Sequence, residues 1–119
     1  MRKDRKVFQG GVYLINLSPV YGSEQGGVRP CVCVSNDKNN MWCSTAQFVP
    51  LTTQVKTPLP THYLLMQKSY KFLYNDSIAL AEQITTKSIE RITSFLGRIS
   101  EKDLLNIIEC VKVQLNTMS

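Results

Sequence analysis

Short apolar runs alternate with polar connections rich in glycine and proline along most of the chain. Runs of this length and alternation are typical of β-strands. The predicted strands are residues 12–17, 31–35, 46–51, 62–66, 77–84 and 92–98. Most connections are too short to hold the helix of a parallel crossover, so we expect the strands to pair in antiparallel fashion.

The last part of the chain changes to a helical period. Ser100 is followed three residues later by Asp103, which resembles a capping box at a helix N-terminus. Apolar side chains then recur on one helical face, at Leu104, Ile107, Ile108, Val111 and Leu115. The pattern as a whole predicts a mainly β fold, a small antiparallel barrel with an amphipathic C-terminal helix packed on it.

Some positions within the strands and turns carry further expectations. Pro50 cannot donate to a sheet ladder, so its strand is predicted to lie at an edge or to end nearby. Residues 36–40 favour a polar turn, and the alternation of residues 77–84 places Glu82 near the end of a strand. Trp42, the sole tryptophan, is predicted to anchor the core or its rim.

With 119 residues and 43% hydrophobic content, the chain is predicted to be a single domain, residues 1–119, preceded by a basic tail at residues 1–9. Its net charge of +5 favours a polyanionic partner such as nucleic acid. No apolar run approaches the roughly 18 residues of a membrane span, and no signal sequence is evident, so a cytoplasmic location without membrane contact is expected.

Four cysteines show neither Cys-x-x-Cys spacing nor a nearby histidine: Cys31, Cys33, Cys43 and Cys110. A structural metal site is therefore not expected, and no cofactor is expected. Cys31 and Cys33 are predicted to be small buried hydrophobes on one strand face.

The stretch at residues 22–30 joins the first two predicted strands with more than a minimal turn. Gly26 and Gly27 permit backbone angles closed to other residues. Arg29 precedes Pro30, which biases Arg29 toward extended geometry and suits its guanidinium to binding a phosphate. Taken alone, the stretch is better interpreted as a glycine-rich hairpin loop that exposes an arginine.

This stretch resembles the corresponding loop of the MazF/PemK toxins, ribosome-independent endoribonucleases of bacterial toxin–antitoxin systems. The resemblance continues in chain order at Val34-Ser35-Asn36-Asp37, Pro50-Leu51-Thr52-Thr53-Gln54, Leu59-Pro60-Thr61-His62, Asp76-Ser77 and Glu82-Gln83. The order and spacing of these segments, which span roughly residues 10–115, make the resemblance specific.

The resemblance implies an SH3-like barrel that works as a homodimer. It implies sequence-specific, metal-independent cleavage of single-stranded mRNA, in which the ribose 2′-hydroxyl attacks its own phosphate. The products would carry 2′,3′-cyclic phosphate and 5′-hydroxyl ends. It also implies inhibition by a cognate antitoxin of the MazE type, whose acidic segment would occupy the basic groove.

The resemblance assigns catalysis to Arg29, which would neutralise the phosphorane, and to Thr52, whose hydroxyl would hold the scissile phosphate. Glu24 is a candidate for general base or for orienting Arg29, and the orienting role is favoured. His62 matches the family as scaffold. The residues implied in RNA binding are Gln25, Asn36, Thr53, Gln54, Lys56, Ser77, Glu82 and Gln83.

The chain departs from the family pattern at Thr85, where an arginine is often found, which puts the phosphate contacts and target preference in doubt. Two other function classes are weighed. A CcdB-type toxin would bind DNA gyrase without chemistry, but the chain lacks the Trp-Gly-Ile ending of such toxins. A DNA-binding regulator would need a recognition helix, and no helix-turn-helix pattern is present.

Overall fold

A computed structural model of the protein describes residues 7–54 and 56–117. The cations of the predicted basic tail lie outside this part of the chain: Arg2, Lys3, Arg5 and Lys6. Val7 already belongs to the folded domain, because its side chain is buried in the core. Among the described residues, no helix combines the length and apolarity needed to traverse a lipid bilayer.

The strands are β1 (Gly11–Asn16), β2 (Val28–Cys33), β3 (Thr45–Thr52), β4 (His62–Leu65), β5 (Ser77–Leu80), β6 (Thr85–Ser88) and β7 (Ile92–Arg98). The helices are α1 (Asp37–Trp42) and α2 (Glu101–Leu115), with 3-10 helices at Gln67–Ser69, Ala81–Gln83 and Ile89–Arg91. Every strand predicted from the pattern is present with shifted bounds. The prediction of a mainly β fold with a C-terminal helix is confirmed.

The strands form an antiparallel sheet in the order β4-β5-β3-β2-β1-β7, and β6 also pairs with β3. β3 is central, because β2 pairs along one side while β6 and then β5 pair along the other. Of the two positions predicted for Pro50, an edge strand or a place near a strand's end, the second is confirmed, because β3 ends at Thr52. Pro50 occupies the gap between the β6 pairs, which stop at Phe48, and the β5 pairs, which begin at Leu51. The N–H that proline lacks would have no strand partner in this gap, so Pro50 costs the sheet no hydrogen bond.

Both faces of the sheet are buried, each in its own core cluster. Tyr13 lies in the first cluster and its neighbour Val12 in the second, as strand alternation requires. Cys31 and Cys33 lie fully buried in the first cluster, which confirms the prediction for these thiols. Ile107 of α2 is fully buried in the second cluster, so the C-terminal helix packs against that face.

The hydrogen-bond ladder between β2 and β3 stops at the pair formed by Cys31 and Pro50. At its other end, the Val34 N–H donates to the Gln47 carbonyl over 2.9 Å. Alternate residues of a strand direct their N–H groups to the same side, so position 30 also faces β3. Pro30 has no N–H and cannot donate to a further rung.

Asp103 ties α2 to the sheet. Ser100 caps the helix by accepting the Asp103 N–H, and the Asp103 carboxylate accepts hydrogen bonds from Tyr63 of β4 (2.6 Å) and from Tyr70. Burial alone would raise the pKa of Asp103, but hydrogen bonds from Tyr63, Tyr70 and Ser100 lower it below its usual value. Ser100 caps the helix as predicted, but its own N–H donates to Tyr70 Oη (3.0 Å) rather than to Asp103, so a polar cluster with the tyrosines replaces the second bond of a capping box.

Helix α1 replaces the polar turn predicted for residues 36–40. Asn36 is its N-cap, with the side-chain oxygen accepting the Asn39 N–H over 2.9 Å. Side chains that close turns also cap helices, which explains why the pattern was ambiguous. At the other end of α1, Trp42 is 65% exposed, so the prediction of a core or rim anchor is wrong.

The strand predicted at residues 77–84 is shorter than expected. β5 ends at Leu80, a 3-10 turn follows, and β6 begins at Thr85. Leu80 and Ala81 are both buried although they are consecutive, so the alternation breaks at this point. Glu82 consequently lies in a tight turn rather than on a strand face.

We expect Asp103→Asn to lower the free energy of unfolding by about 2 kcal/mol near neutral pH, since an amide offers one acceptor oxygen to two tyrosine donors. The folded-state pKa of Asp103 is lowered, so this stabilisation is fully present above the unfolded pKa of about 4. It is lost as the pH falls through the folded pKa. Urea unfolding near neutral pH and at about pH 3 measures both effects.

The matched control is Glu101→Gln, which removes an exposed carboxylate from the same helical turn. We expect it to change stability much less. An equal loss in the control would contradict the role given to the Asp103 carboxylate. So would a stability deficit of the Asp103→Asn variant that stays undiminished in acid.

Candidate active site

The loop between β1 and β2 is closed at its base. The Leu17 N–H donates to the Gly27 carbonyl (2.9 Å) and the Gly27 N–H to Ser18 Oγ (3.1 Å). Gly27 has a φ of 74°, a left-handed angle that favours glycine. Arg91 donates from Nη1 to the carbonyls of Asn16 (3.2 Å) and Ser18 (2.7 Å). The base of the loop is therefore held by Arg91, which is distant from it in sequence.

Arg29 lies in β2 rather than in the loop, because the strand begins at Val28. Its Nε donates to the Gly26 carbonyl over 2.7 Å, which fixes the guanidinium beside the loop. Within residues 7–54 and 56–117, the guanidinium makes no other hydrogen bond or ion pair. Its two terminal amino groups therefore remain available to pair with an anion.

Thr52 is the last residue of β3 and is 2% exposed. Its Oγ1 accepts the Gln54 N–H over 3.2 Å, and a hydroxyl that accepts keeps its own hydrogen to donate. The β2–β3 ladder ends at Cys31 and Pro50, and Arg29 and Thr52 each lie two residues beyond that end on their own strands. The two predicted catalytic residues therefore both lie just past the point where the ladder stops.

A cleft of about 360 Å³ lies beside this point. Its walls are formed by the β1–β2 loop, by Pro50 and by the chain from the 3-10 turn into β6. The lining residues are Leu17, Pro19, Val20, Glu24, Gln25, Pro50, Glu82, Gln83, Ile84, Thr85 and Lys87. Arg29 and Thr52 are not among the residues that line it, but each is close in sequence to one that does, Gln25 or Pro50.

Thr85, where the resemblance leads one to expect an arginine, does line the cleft. Lys87 lies two residues further along β6 and lines it too. Residues two apart in a strand point to the same side. Lys87 therefore supplies a cation on the wall that Thr85 leaves uncharged.

Glu24 does not orient Arg29 as was favoured. Its carboxylate accepts the Tyr21 N–H over 2.7 Å, and its own N–H donates back to the Tyr21 carbonyl (3.2 Å). The structure shows no ion pair between Glu24 and Arg29, both of which are described. The short local turn captures the carboxylate, and Gly26 takes the orienting role instead.

The loop is also tied to the 3-10 turn across the cleft. The Gln25 N–H donates weakly to Gln83 Oε1 over 3.4 Å. The Gln25 side-chain oxygen is buried and has no partner among the described residues. Gln25 and Gln83 thus bring together two segments that sequence reasoning had assigned separately to RNA binding.

Glu82 accepts two side-chain hydrogen bonds, from Thr61 Oγ1 (2.8 Å) and from His62 Nε2 (3.0 Å). Burial alone would raise the pKa of Glu82, but hydrogen bonds from His62, from its own N–H and from Thr61 lower it below its usual value. The cleft therefore presents an ionised carboxylate at neutral pH.

The remaining predicted RNA-binding residues are distributed unevenly. Thr53 and Gln54 are exposed and Lys56 is half-buried, all just beyond Thr52. Ser77 is buried, and its hydroxyl donates to the Asn75 carbonyl, so it does not present a free hydroxyl at the surface.

Asn36 does not join the group around Arg29. It follows the opposite end of β2, a strand of six residues that spans about 17 Å, and its side chain caps α1. Sequence proximity to β2 suggested a shared groove, but the direction of the strand separates the two residues within one protomer.

Cys31 lies on the same sheet face as Arg29 but is not a nucleophile. Burial raises the pKa of its thiol to about 12, although the charge of Arg29 opposes this shift. Among the residues that the structure describes, no three His, Cys, Asp or Glu side chains are grouped as a metal site requires. The chemistry available at this point is therefore hydrogen-bond donation to an anion from a guanidinium and a hydroxyl.

Sequence reasoning missed the supporting residues. Arg91 was not among the predicted site residues, and its clamp on the loop depends on a contact across more than 70 residues. Lys87 was not singled out because β6 was not predicted. No local signal identifies such contacts, since each depends on the pairing of distant segments.

The comparison with family models matches residues 8–115 to the PemK-like, MazF-like toxin of type II toxin-antitoxin systems. The chain belongs to this family. That conclusion agrees with the order of motifs in the sequence and with the antiparallel sheet capped by α2.

Curated relatives agree over nearly the whole chain. The protein is 40% identical over 108 residues to "Endoribonuclease MazF" of Staphylococcus epidermidis, covering 90% of this chain and 89% of that one. It is 39% identical over 110 residues to "Endoribonuclease EndoA" of Bacillus subtilis, covering 92% and 94%.

Solved structures share the fold. A crystal structure described as MazE-MazF from Deinococcus radiodurans superimposes with a TM-score of 0.75 at 23% identity, covering 98% of this chain and all of that chain. At this level of identity the match confirms the barrel-like fold of this MazF-family chain.

We expect Arg91→Ala to loosen the base of the β1–β2 loop without unfolding the domain. Loss of two hydrogen bonds from a charged donor at an exposed site corresponds to about 1 kcal/mol, or roughly fivefold faster exchange at the amides of Leu17 and Gly27. Amide hydrogen exchange followed by NMR measures this change.

Arg98→Ala provides a control, because Arg98 is an exposed arginine that stacks on Phe8 away from the loop base. Equal acceleration in both variants would contradict the clamp, as would unchanged exchange in Arg91→Ala.

Proposed function

We propose that this chain is the endoribonuclease toxin of a toxin–antitoxin pair and that it cleaves single-stranded mRNA in the cytoplasm at a short recognition sequence. The family and the names of its relatives support the activity. The observation that supports the mechanism is the position of Arg29 and Thr52, each two residues beyond the end of the β2–β3 ladder.

Cleavage proceeds by attack of the ribose 2′-hydroxyl on the adjacent phosphate. The 2′-oxygen forms a bond to phosphorus, the bond to the 5′-oxygen breaks, and the leaving oxygen takes up a proton. The products are a 2′,3′-cyclic phosphate and a 5′-hydroxyl. The protein must hold the attacking and leaving oxygens in line and neutralise the pentacoordinate phosphorane.

Arg29 neutralises the phosphorane. Its charge is permanent, and the two amino groups left by the Nε bond to Gly26 form the fork that fits two phosphate oxygens. Because this bond is already made, little rearrangement is needed when the substrate arrives.

Thr52 donates its hydroxyl hydrogen to a nonbridging phosphate oxygen while accepting the Gln54 N–H. A hydroxyl of this kind is too weak a base to remove the 2′-proton. Glu24, exposed in the loop with one oxygen engaged by Tyr21, is the carboxylate available to accept that proton. His62 Nε2 is engaged by the Glu82 carboxylate, so His62 remains scaffold with respect to proton transfer.

The cleft beside Arg29 and Thr52 receives an unstacked base of the RNA. Gln25, Glu82 and Gln83 line it with hydrogen-bond acceptors and donors, and Lys87 attracts the backbone. Thr53, Gln54 and Lys56 extend the contact surface beyond β3. In the proposed reaction Arg29 and Thr52 supply the charge stabilisation themselves, so no metal ion is needed.

The partners are a second copy of the chain and a cognate antitoxin of the MazE type. The solved MazE-MazF structure supports an antitoxin partner for a relative of the same fold. An acidic segment of such an antitoxin would pair with the cations around the cleft and block RNA.

The gyrase-binding alternative has no support from the comparisons, which match an endoribonuclease family along nearly the full chain. Gyrase binding without chemistry would also leave Arg29 and Thr52 without a functional role.

We expect the purified protein to cut long single-stranded RNA at one short repeated sequence in excess chelator. Arg29→Ala should lower the cleavage rate by about 10² to 10³, the usual effect of removing one donor to a transition-state anion. Mapping of the cut ends by primer extension and a gel-based rate assay measure both results.

Arg98→Ala is the matched control for loss of a positive charge and should cleave at close to the wild-type rate. Loss of cutting in chelator would contradict the metal-independent mechanism. Retention of full activity in Arg29→Ala would remove Arg29 from catalysis.

A further inference from the structure

His62 and Glu82 form a pair that catalysis does not use. The His62 side chain is 8% exposed and the Glu82 side chain 24%, with 3.0 Å between Nε2 and Oε2. Glu82 lines the cleft, whereas His62 and Thr61 lie behind it. Glu82 therefore lies between these two protein donors and the cleft.

The hydrogen bond determines the state of the imidazole. An ionised carboxylate can only accept, so His62 Nε2 carries the hydrogen. His62 Nδ1 is then buried without a partner among the described residues. A buried polar atom without a partner is unfavourable, and an apolar side chain would fill the same space without that penalty. The advantage of histidine over an apolar residue at position 62 is therefore its hydrogen bond to Glu82.

The two donors leave a defined acceptor. Thr61 occupies one lone pair of Oε1 and His62 one lone pair of Oε2. The Glu82 backbone N–H takes a third lone pair, so one lone pair of the carboxylate stays free, and the carboxylate cannot rotate without breaking a bond to Thr61 or His62. A group bound in the cleft meets one fixed acceptor and no donor from Glu82.

Such an acceptor discriminates between nucleobases. Guanine offers adjacent N1–H and N2–H donors, and adenine and cytosine each offer an amino donor on the Watson–Crick edge. Uracil offers only N3–H, which is flanked by two carbonyl oxygens that a carboxylate repels. A fixed carboxylate thus favours a base with an amino group over uracil.

We propose that His62 is a positioning residue for RNA selectivity: it holds the Glu82 carboxylate so that the cleft accepts an amino-bearing base and rejects uracil. This inference rests on the proposed ribonuclease function. It gives His62 a task distinct from the scaffold role that the sequence implied, and it predicts an effect on sequence choice rather than on bond cleavage.

The link between Gln25 and Gln83 extends this effect to the reacting bond. Gln83 follows Glu82 in the 3-10 turn and accepts the Gln25 N–H, while Gly26, next to Gln25, accepts from Arg29. The base acceptor and the phosphate donor are therefore connected through two hydrogen bonds. A base seated against Glu82 fixes the register of the chain that reaches Arg29.

Two amide variants test the proposal. In His62→Gln the amide nitrogen falls near the place of Nε2 and can donate to Glu82, whereas in His62→Asn it falls near Nδ1 and cannot. Glu82→Gln removes the ionised acceptor directly. Each variant is first checked for a cooperative thermal transition, and its cut sites in a single-stranded RNA with a randomised segment are then mapped by sequencing.

We expect one position of the wild-type cleavage profile to exclude uracil. At that position, preference for the amino-bearing base should fall by about tenfold in His62→Asn and in Glu82→Gln and be retained in His62→Gln. In His62→Asn, cleavage of the sites that gain uracil should proceed near the wild-type rate, because Arg29, Thr52 and Glu82 are untouched.

Unchanged profiles in folded His62→Asn and Glu82→Gln would overturn the inference while leaving the ribonuclease intact. So would a uniform fall in rate with the profile preserved, since that result marks a purely structural role. Failure of the wild-type protein to cut any sequence would instead defeat the proposed function and this inference with it.

Discussion

The structure depends on a hydrogen-bond ladder that stops early. β2 and β3 pair from their Cys33–Phe48 end to Cys31 and Pro50, and Pro30 cannot donate to the next rung. The following positions carry Arg29 and Thr52. A continuous ladder would occupy this backbone with sheet pairing, whereas its end leaves the backbone around Arg29 and Thr52 outside the β2–β3 pairing. The place proposed for phosphate binding thus coincides with a feature that weakens the sheet.

Contacts from distant segments keep this open end in order. Arg91 holds the loop base, Gly26 orients Arg29, and Gln83 links the loop to the turn that carries Glu82. None of these contacts buries much apolar area, so they contribute little to global stability. They restrict the few side chains that meet the substrate, which is the kind of preorganisation that stabilises developing charge.

The sequence was sufficient to predict the fold where one physical signal dominated. Strand alternation and the cap at Ser100 were decisive for the sheet and for α2, and the family motifs identified Arg29 and Thr52. Predictions failed where equal local signals compete, as at Asn36, whose side chain serves a turn or a helix cap equally well. They also failed where long-range packing decides, as for β6 and for the carboxylate of Glu24, which a neighbouring amide captures.

The central claim is that Arg29 and Thr52 act on one phosphate. Single-turnover cleavage of an RNA with one cut site, measured for Arg29→Ala, Thr52→Val and the double variant, tests it most directly. If both side chains stabilise the same phosphorane, the double variant will be only slightly slower than the slower single variant, because removal of one partner already disrupts the unit. Rate losses that multiply in full would show that the two residues act independently and would contradict the account.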